Sequence, residues 1–98
     1  MNQSQLNMLN ECITWADTVT STNFLEWHRY STMALRGVDT GRPTEMDRFE
    51  QLSEMFNVSN RETSLAGLEV DVARMVAEGK EILEDARDHA ASEVKGQS

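Results

Sequence analysis

The sequence has few of the residues that break or cross-link a chain. One proline, five glycines and a single cysteine, Cys12, occur among 98 residues. So few turn-forming residues disfavour a loop-rich all-β fold, and one cysteine cannot form an internal disulfide. The length is that of one domain, so we expect residues 1–98 to form a single domain.

Long apolar runs are also missing. No stretch approaches the roughly 20 apolar residues that a membrane-spanning helix needs. The first 30 residues lack the basic segment and the apolar run of a secretory signal. With no sign of export and a lone thiol, we expect a reducing, cytoplasmic location and no membrane association.

Basic residues are scarce. Nine lysines and arginines stand against 17 aspartates and glutamates, which gives a formal net charge of −8 and a pI near 4.6. Such a chain lacks the cationic surface by which proteins grip phosphates, so direct binding of nucleic acid is not expected. Nine of the carboxylates fall in residues 62–98. These observations favour a basic protein as the partner.

The apolar positions of the first half follow the 3.6-residue period of α-helices. Residues 4–19 predict a first helix. A capping-box pair, Asn23 and Glu26, predicts the start of a second helix that ends at Gly37. The segment 38–43 contains glycine and proline and no apolar period, which predicts a loop.

Two further helices are predicted in the second half. Residues 44–57 carry the apolar stripe of a third helix. Ser59 and Glu62 form a second capping box, which predicts the start of a long helix that runs to about residue 95. The sequence therefore predicts an all-α helical bundle of three short helices and one long, amphipathic C-terminal helix.

The predicted long helix carries apolar residues at alternating spacings of three and four, a heptad-like pattern. Unbroken, it would be ~50 Å long and would project from a compact globule of this size. We therefore expect its apolar seam to be buried against a second copy, most simply in a homodimer. A kink at Gly79 that folds the two halves together is the alternative. The seam residues are Leu65, Leu68, Val72, Met75 and Ile82.

Side chains for catalysis or metal binding are few. Cys12 could act as a nucleophile with His28 or His89 as the base. Its place in the apolar half of the first predicted helix favours a core position instead. Zinc needs three or four closely spaced cysteines and histidines, which the sequence does not supply. We expect a non-enzymatic protein without a cofactor or a metal.

The carboxylates of the predicted long helix are the main candidates for binding a partner. A rigid acidic helix could cover a basic site on a host protein that handles nucleic acid, and complementary charge would speed the encounter. Small acidic helical proteins of this kind resemble counter-defence products of phages. A plain solvated face of an amphipathic helix is the alternative. The predicted contact residues are Glu78, Glu81, Glu84, Asp85 and Asp88.

A second pattern lies in residues 49–66. Apolar, small, apolar, turn-forming and apolar residues follow one another at Leu52, Ser53, Phe56, Asn57 and Val58. This segment resembles the first half and the turn of a DNA-binding helix-turn-helix. The resemblance implies a DNA-binding regulator, which is an alternative function.

A third pattern is the motif Arg-Glu-x-Ser-Leu-Ala at residues 61–66, followed by an apolar-acidic pair and alanines. Residues 61–77 resemble the hairpin helix of small phage proteins that sequester cyclic-nucleotide immune signals, although the Leu-Thr-Lys that follows in that family is missing. The resemblance implies an all-helical oligomer that binds cyclic nucleotides between protomers. Guanidinium groups would meet phosphates and hydroxyls would meet ribose or base edges. The implied binding residues are Arg48, Arg61, Thr63 and Ser64.

Overall fold

The computed structural model describes residues 3–37 and 43–96, and the side chains of residues 4–37 and 45–91. This part of the chain forms four α-helices: α1 (Gln3–Ala16), α2 (Phe24–Arg36), α3 (Pro43–Glu62) and α4 (Leu65–Gly96). α1 and α3 pack against α4, and α2 contacts the other three helices. The predicted all-α bundle with a long C-terminal helix is confirmed. The predicted loop lies, apart from Pro43, outside the described residues.

A polar turn separates α1 from α2. α1 ends at Ala16, and the Thr18 hydroxyl then donates to the Trp15 carbonyl at 3.0 Å. α2 begins after Asn23 as predicted, but the predicted capping box does not form. The Asn23 side chain instead accepts the Thr20 N–H at 2.7 Å. The Asn23 side chain therefore closes the turn before α2 and forms no capping bond to the helix.

The turn between α3 and α4 lies after its predicted position. Ser59, expected to cap the long helix, is buried inside α3, and its hydroxyl donates to Oδ2 of Asp71 at 2.5 Å. Ser64 precedes α4, and its Oγ accepts the Gly67 N–H at 3.3 Å. The predicted capping box at Ser59 and Glu62 is wrong, because both residues lie inside α3. Serine is disfavoured in the middle of a helix, and the bond from Ser59 to Asp71 of α4 offsets this cost.

The helix-turn-helix prediction is also wrong. Residues 49–62 lie in one uninterrupted helix, so Asn57 is not in a turn. α3 and α4 form an antiparallel hairpin, because Ser59 bonds to Asp71 near the turn and Arg48 bonds to Glu78 further from it. In a helix-turn-helix the second helix crosses the first steeply and enters the major groove of DNA. α4 is instead held lengthwise against α3.

α4 is continuous through Gly79 and runs along the longest dimension of the molecule. Its 32 residues span about 48 Å at 1.5 Å per residue, and the longest extent of the protein is 51 Å. Of the predicted seam, Leu65 alone is exposed. The others are buried within one chain: Leu68, Val72, Met75 and Ile82. Burial of the seam against a second copy is therefore a wrong prediction, and the oligomeric state itself stays untested.

The aromatic residues, only six in the sequence, form much of the core. The rings of Phe24 and Phe56 stack with centroids 4.9 Å apart, and Trp27 lies against Phe49 at 5.7 Å. The Trp27 indole N–H donates to the Cys12 carbonyl at 3.0 Å, so its one polar atom is paired inside the core. This aromatic cluster joins α1, α2 and α3 in the core.

The buried Ser31 hydroxyl gives a first prediction. Within the described part of the chain, its oxygen has no hydrogen-bond partner. Burial of a poorly bonded hydroxyl costs ~1–3 kcal/mol. We expect Ser31→Ala to raise the free energy of unfolding by about 1 kcal/mol in urea titrations. A lower value than in the wild type would show that the hydroxyl is well bonded.

Candidate binding surface on α3 and α4

A groove of about 610 Å³ lies between α3 and α4. Its floor is apolar: Met55 and Val58 of α3 are 51% and 42% exposed, and Met75 of α4 is buried beside them. Large apolar side chains that stay exposed together in a concave surface mark binding sites. We call this feature the α3–α4 groove.

Carboxylates line both walls of the α3–α4 groove. Glu54 and Glu62 lie on the α3 side, and Asp71 and Glu78 lie on the α4 side. Arg74 is the single cation among the lining residues. Within the described part of the chain, Glu54 and Glu62 form no hydrogen bond or ion pair. The groove therefore combines an apolar floor with a strong negative charge, which attracts cations and repels anions.

Helical spacing brings the lining residues together. On α3 they recur at intervals of four, three and four: Gln51, Met55, Val58 and Glu62. Near the α3–α4 turn, Ser59 binds Asp71, and Thr63 donates to the Ser59 carbonyl and lies 3.1 Å from its Oγ. The Ser59–Asp71 bond ties α3 to α4 at that end of the groove.

An ion pair lies toward the other end of the groove. Nη2 of Arg48 is 2.6 Å from Oε1 of Glu78. This hydrogen bond, together with the charges of Glu78 and Glu45, raises the pKa of Arg48 above its ordinary value. Both side chains remain exposed to water, so the ion pair adds little stability. It holds Glu78 at the edge of the groove and engages one of the predicted anion-binding arginines.

The predicted contact carboxylates fall within about 120° of the circumference of α4. This sector lies opposite the buried residues Leu83, Ala86 and Ala90, so it faces away from the core. Glu81 and Glu84 form no hydrogen bond or ion pair with the described residues. Asp88 accepts from Arg87 at 3.3 Å. This acidic face of α4 starts at the groove wall and comprises Glu78, Glu81, Glu84, Asp85 and Asp88.

The predicted anion-binding residues do not meet within one chain. Arg48 and Arg61 are thirteen residues apart on α3, which places them about 20 Å apart along the helix axis. The Thr63 hydroxyl bonds back to the Ser59 carbonyl, and the Ser64 hydroxyl accepts a backbone N–H of α4. Of these four residues, Thr63 alone lines the α3–α4 groove.

Cys12 and His28 are both core residues. Cys12 is fully buried, which confirms its predicted core position, and this burial raises the pKa of its thiol. Nε2 of His28 lies 2.6 Å from the Phe49 carbonyl, and because a carbonyl only accepts, Nε2 carries the proton. The imidazole also stacks on the Phe49 ring with centroids 4.8 Å apart. Neither group is placed to attack a substrate.

The buried His28 gives the fold a pH dependence. Burial lowers its pKa below the ordinary value of 6.5, so in mild acid the unfolded chain binds a proton that the folded chain resists. Stability should therefore fall as the pH drops below about 6.5 and be unaffected by this group at higher pH. We expect the urea midpoint to fall more between about pH 7.5 and about pH 5.5 in the wild type than in His28→Phe. Equal falls would contradict this account of His28.

Comparison with known proteins reveals no relative. No protein-family model, curated protein or solved structure matches this chain. Within residues 3–37 and 43–96, no helix is long and apolar enough to cross a membrane. Among the side chains of residues 4–37 and 45–91, no three histidines, cysteines, aspartates or glutamates form a group that could hold a metal ion.

Proposed function

We propose that this protein is a non-enzymatic binding protein that takes a basic partner on the continuous surface formed by the α3–α4 groove and the acidic face of α4. The observation that carries the proposal is the apolar groove floor between walls that hold four carboxylates and one arginine. Apolar side chains that leave water supply affinity. Carboxylates around them select cations and speed the encounter.

The proposed activity is stoichiometric inhibition of a host protein that handles nucleic acid. Such proteins carry basic surfaces that hold phosphates. A helix that presents carboxylates can cover that surface, as in the counter-defence proteins of phages that this chain resembles in size and charge. Glu81 and Glu84 should contribute most, because no existing bond to a described residue has to break before they pair with the partner.

The groove is poorly suited to the alternative, a cyclic nucleotide. Thr63 lies in it beside Glu62 and Asp71, which would repel a phosphate. Arg48 is engaged by Glu78. We therefore expect cyclic dinucleotides and trinucleotides to leave the melting temperature unchanged in a thermal-shift assay. A stabilising shift would favour sequestration of a cyclic nucleotide over the binding of a basic protein.

Affinity capture from a host lysate with three matched baits tests the proposed function. The first bait is the wild type, the second carries Glu81→Gln and Glu84→Gln, and the third carries Glu11→Gln and Glu26→Gln. The third bait loses the same charge at exposed positions of α1 and α2, outside the proposed surface, and a glutamine at position 11 can still accept the Tyr30 hydroxyl. We expect the wild type and the third bait to capture the same basic protein, and the second bait to lose it.

The captured protein should be released by salt, because ion pairs at a surface are screened. It should also lose bound DNA when the wild type is added in equimolar amount. Equal capture by all three baits, or capture that salt does not affect, would contradict the proposed function.

A further inference from the structure

We propose that the occupant of the α3–α4 groove is a single amphipathic helix of the partner, with cations along both edges and an apolar side chain between them. This inference rests on the proposed function and specifies the form of the basic partner. Its grounds are the backbone of the groove walls, the spacing of the charges and the apolar floor.

The walls of the groove favour a helix over an extended peptide. Both walls are α-helices, whose backbone N–H and C=O groups are bonded within each helix. An extended segment would find no backbone partners there, unlike a strand that adds to the edge of a sheet. A helix bonds its own backbone groups and presents only side chains. From Gln51 to Glu62 the groove spans about 17 Å, which accommodates about three helical turns.

The spacing of the wall carboxylates sets where the cations of the incoming helix should lie. Glu54 and Glu62 are eight residues apart on α3, about 12 Å along the axis. Asp71 and Glu78 are seven residues apart on α4, about 10 Å. Lysines or arginines two turns apart on each edge of a helix match both distances. Arg74 lies between the two α4 carboxylates, so the middle of that edge should carry no cation.

The floor supplies the apolar contact. Met55 and Val58 are one turn apart on α3, and Met75 lies beside them on α4. Methionine side chains are flexible and polarisable, so they can adapt to different apolar partners. A leucine, methionine or aromatic residue at the centre of the incoming helix would exclude water from this floor, which is where interface residues contribute most.

A second exposed apolar pair provides a matched control. Leu25 and Met33 on α2 are 47% and 60% exposed, close to the values for the groove pair. They line a separate pocket together with Arg29 and Arg36. A cationic helix should avoid arginines, so replacement of this pair should leave its binding unchanged.

Three synthetic, fluorescein-labelled peptides of about 14 residues test the inference by fluorescence anisotropy. The first has lysines two turns apart on both edges and a central leucine. The second has the same composition in an order without a helical pattern. The third is the first peptide with two central prolines, which prevent a helix. We expect the first peptide to bind at least about tenfold more tightly than the others and to gain helical circular dichroism on binding.

Two double variants locate the site of binding. Met55→Ser with Val58→Ser should weaken the first peptide about tenfold, whereas Leu25→Ser with Met33→Ser should leave its affinity unchanged. Equal binding of the three peptides would overturn the helical occupant and leave the proposed function standing. No binding of any cationic peptide would contradict both. Sedimentation without peptide gives the remaining outcome: a dimer abolished by the groove variant would assign the groove to a second copy and overturn the inference.

Discussion

Gly79→Ala is expected to lower the free energy of unfolding by about 1–3 kcal/mol, although alanine favours an isolated helix by about 1 kcal/mol over glycine. A Cβ at this position would lie 2.7 Å from Cη2 of Trp27 and 3.0 Å from Cε2 of Phe49. Both rings are fully buried, so neither can move into open space. Urea unfolding followed by circular dichroism measures the loss.

The Trp27→Phe background is the control for this prediction. Phenylalanine lacks the second ring that carries Cη2, so Gly79→Ala should cost less there by about 1 kcal/mol or more. Equal losses in the two backgrounds would show that the second ring of Trp27 is not the group that requires a glycine at position 79. Gly79 would then have no role in packing α4 against Trp27.

Trp27→Ala is expected to lower the free energy of unfolding by about 3–5 kcal/mol, a large share of the stability of a small domain. The indole is fully buried between the rings of Phe24 and Phe49, and its N–H is bonded to Cys12. Thermal or urea unfolding gives the value. Trp15→Ala is the matched control, because Trp15 is only partly buried on the bundle. A loss no larger than that of Trp15→Ala would contradict the central role of Trp27.

The helices are predictable from the sequence because each pairs an apolar face with a polar one. The turn between α3 and α4 is not, because Ser59 fits a helix start locally but is bonded to Asp71 in the fold. At Ser59 the local pattern favours a helix start and the contact with α4 favours a position inside α3. The contact with α4 determines the observed structure.

The predicted projection of α4 failed because it assumed a nearly spherical molecule. The protein measures 51 × 24 × 16 Å, so a 32-residue helix fits along it without projecting. Packing of α1 and α3 against α4 then buries Leu68 and Ile82 within one chain. The heptad-like spacing alone is equally compatible with burial of these residues against a second copy. The spacing shows that a helix face is buried and does not show what buries it.

The sequence predicts only part of the candidate site. The carboxylates of α4 follow from helical spacing, and the structure places them on one face. The groove floor does not follow, because Met55 and Val58 look like ordinary continuations of an apolar stripe until α4 is seen to leave them exposed. Glu54 and Glu62 become part of an acidic site only because the fold places Asp71 and Glu78 on the opposite wall.

The most direct test of the acidic groove as a binding site is the affinity of the cationic amphipathic peptide for charge-matched variants. Glu54→Gln with Glu62→Gln removes two groove charges, and Glu11→Gln with Glu26→Gln removes two charges on α1 and α2. Calorimetric titration should show at least about tenfold weaker binding for the groove variant and unchanged binding for the control variant. The affinity of the wild type should fall as salt is added. Equal affinity of the groove variant and the wild type would contradict the assignment of this surface.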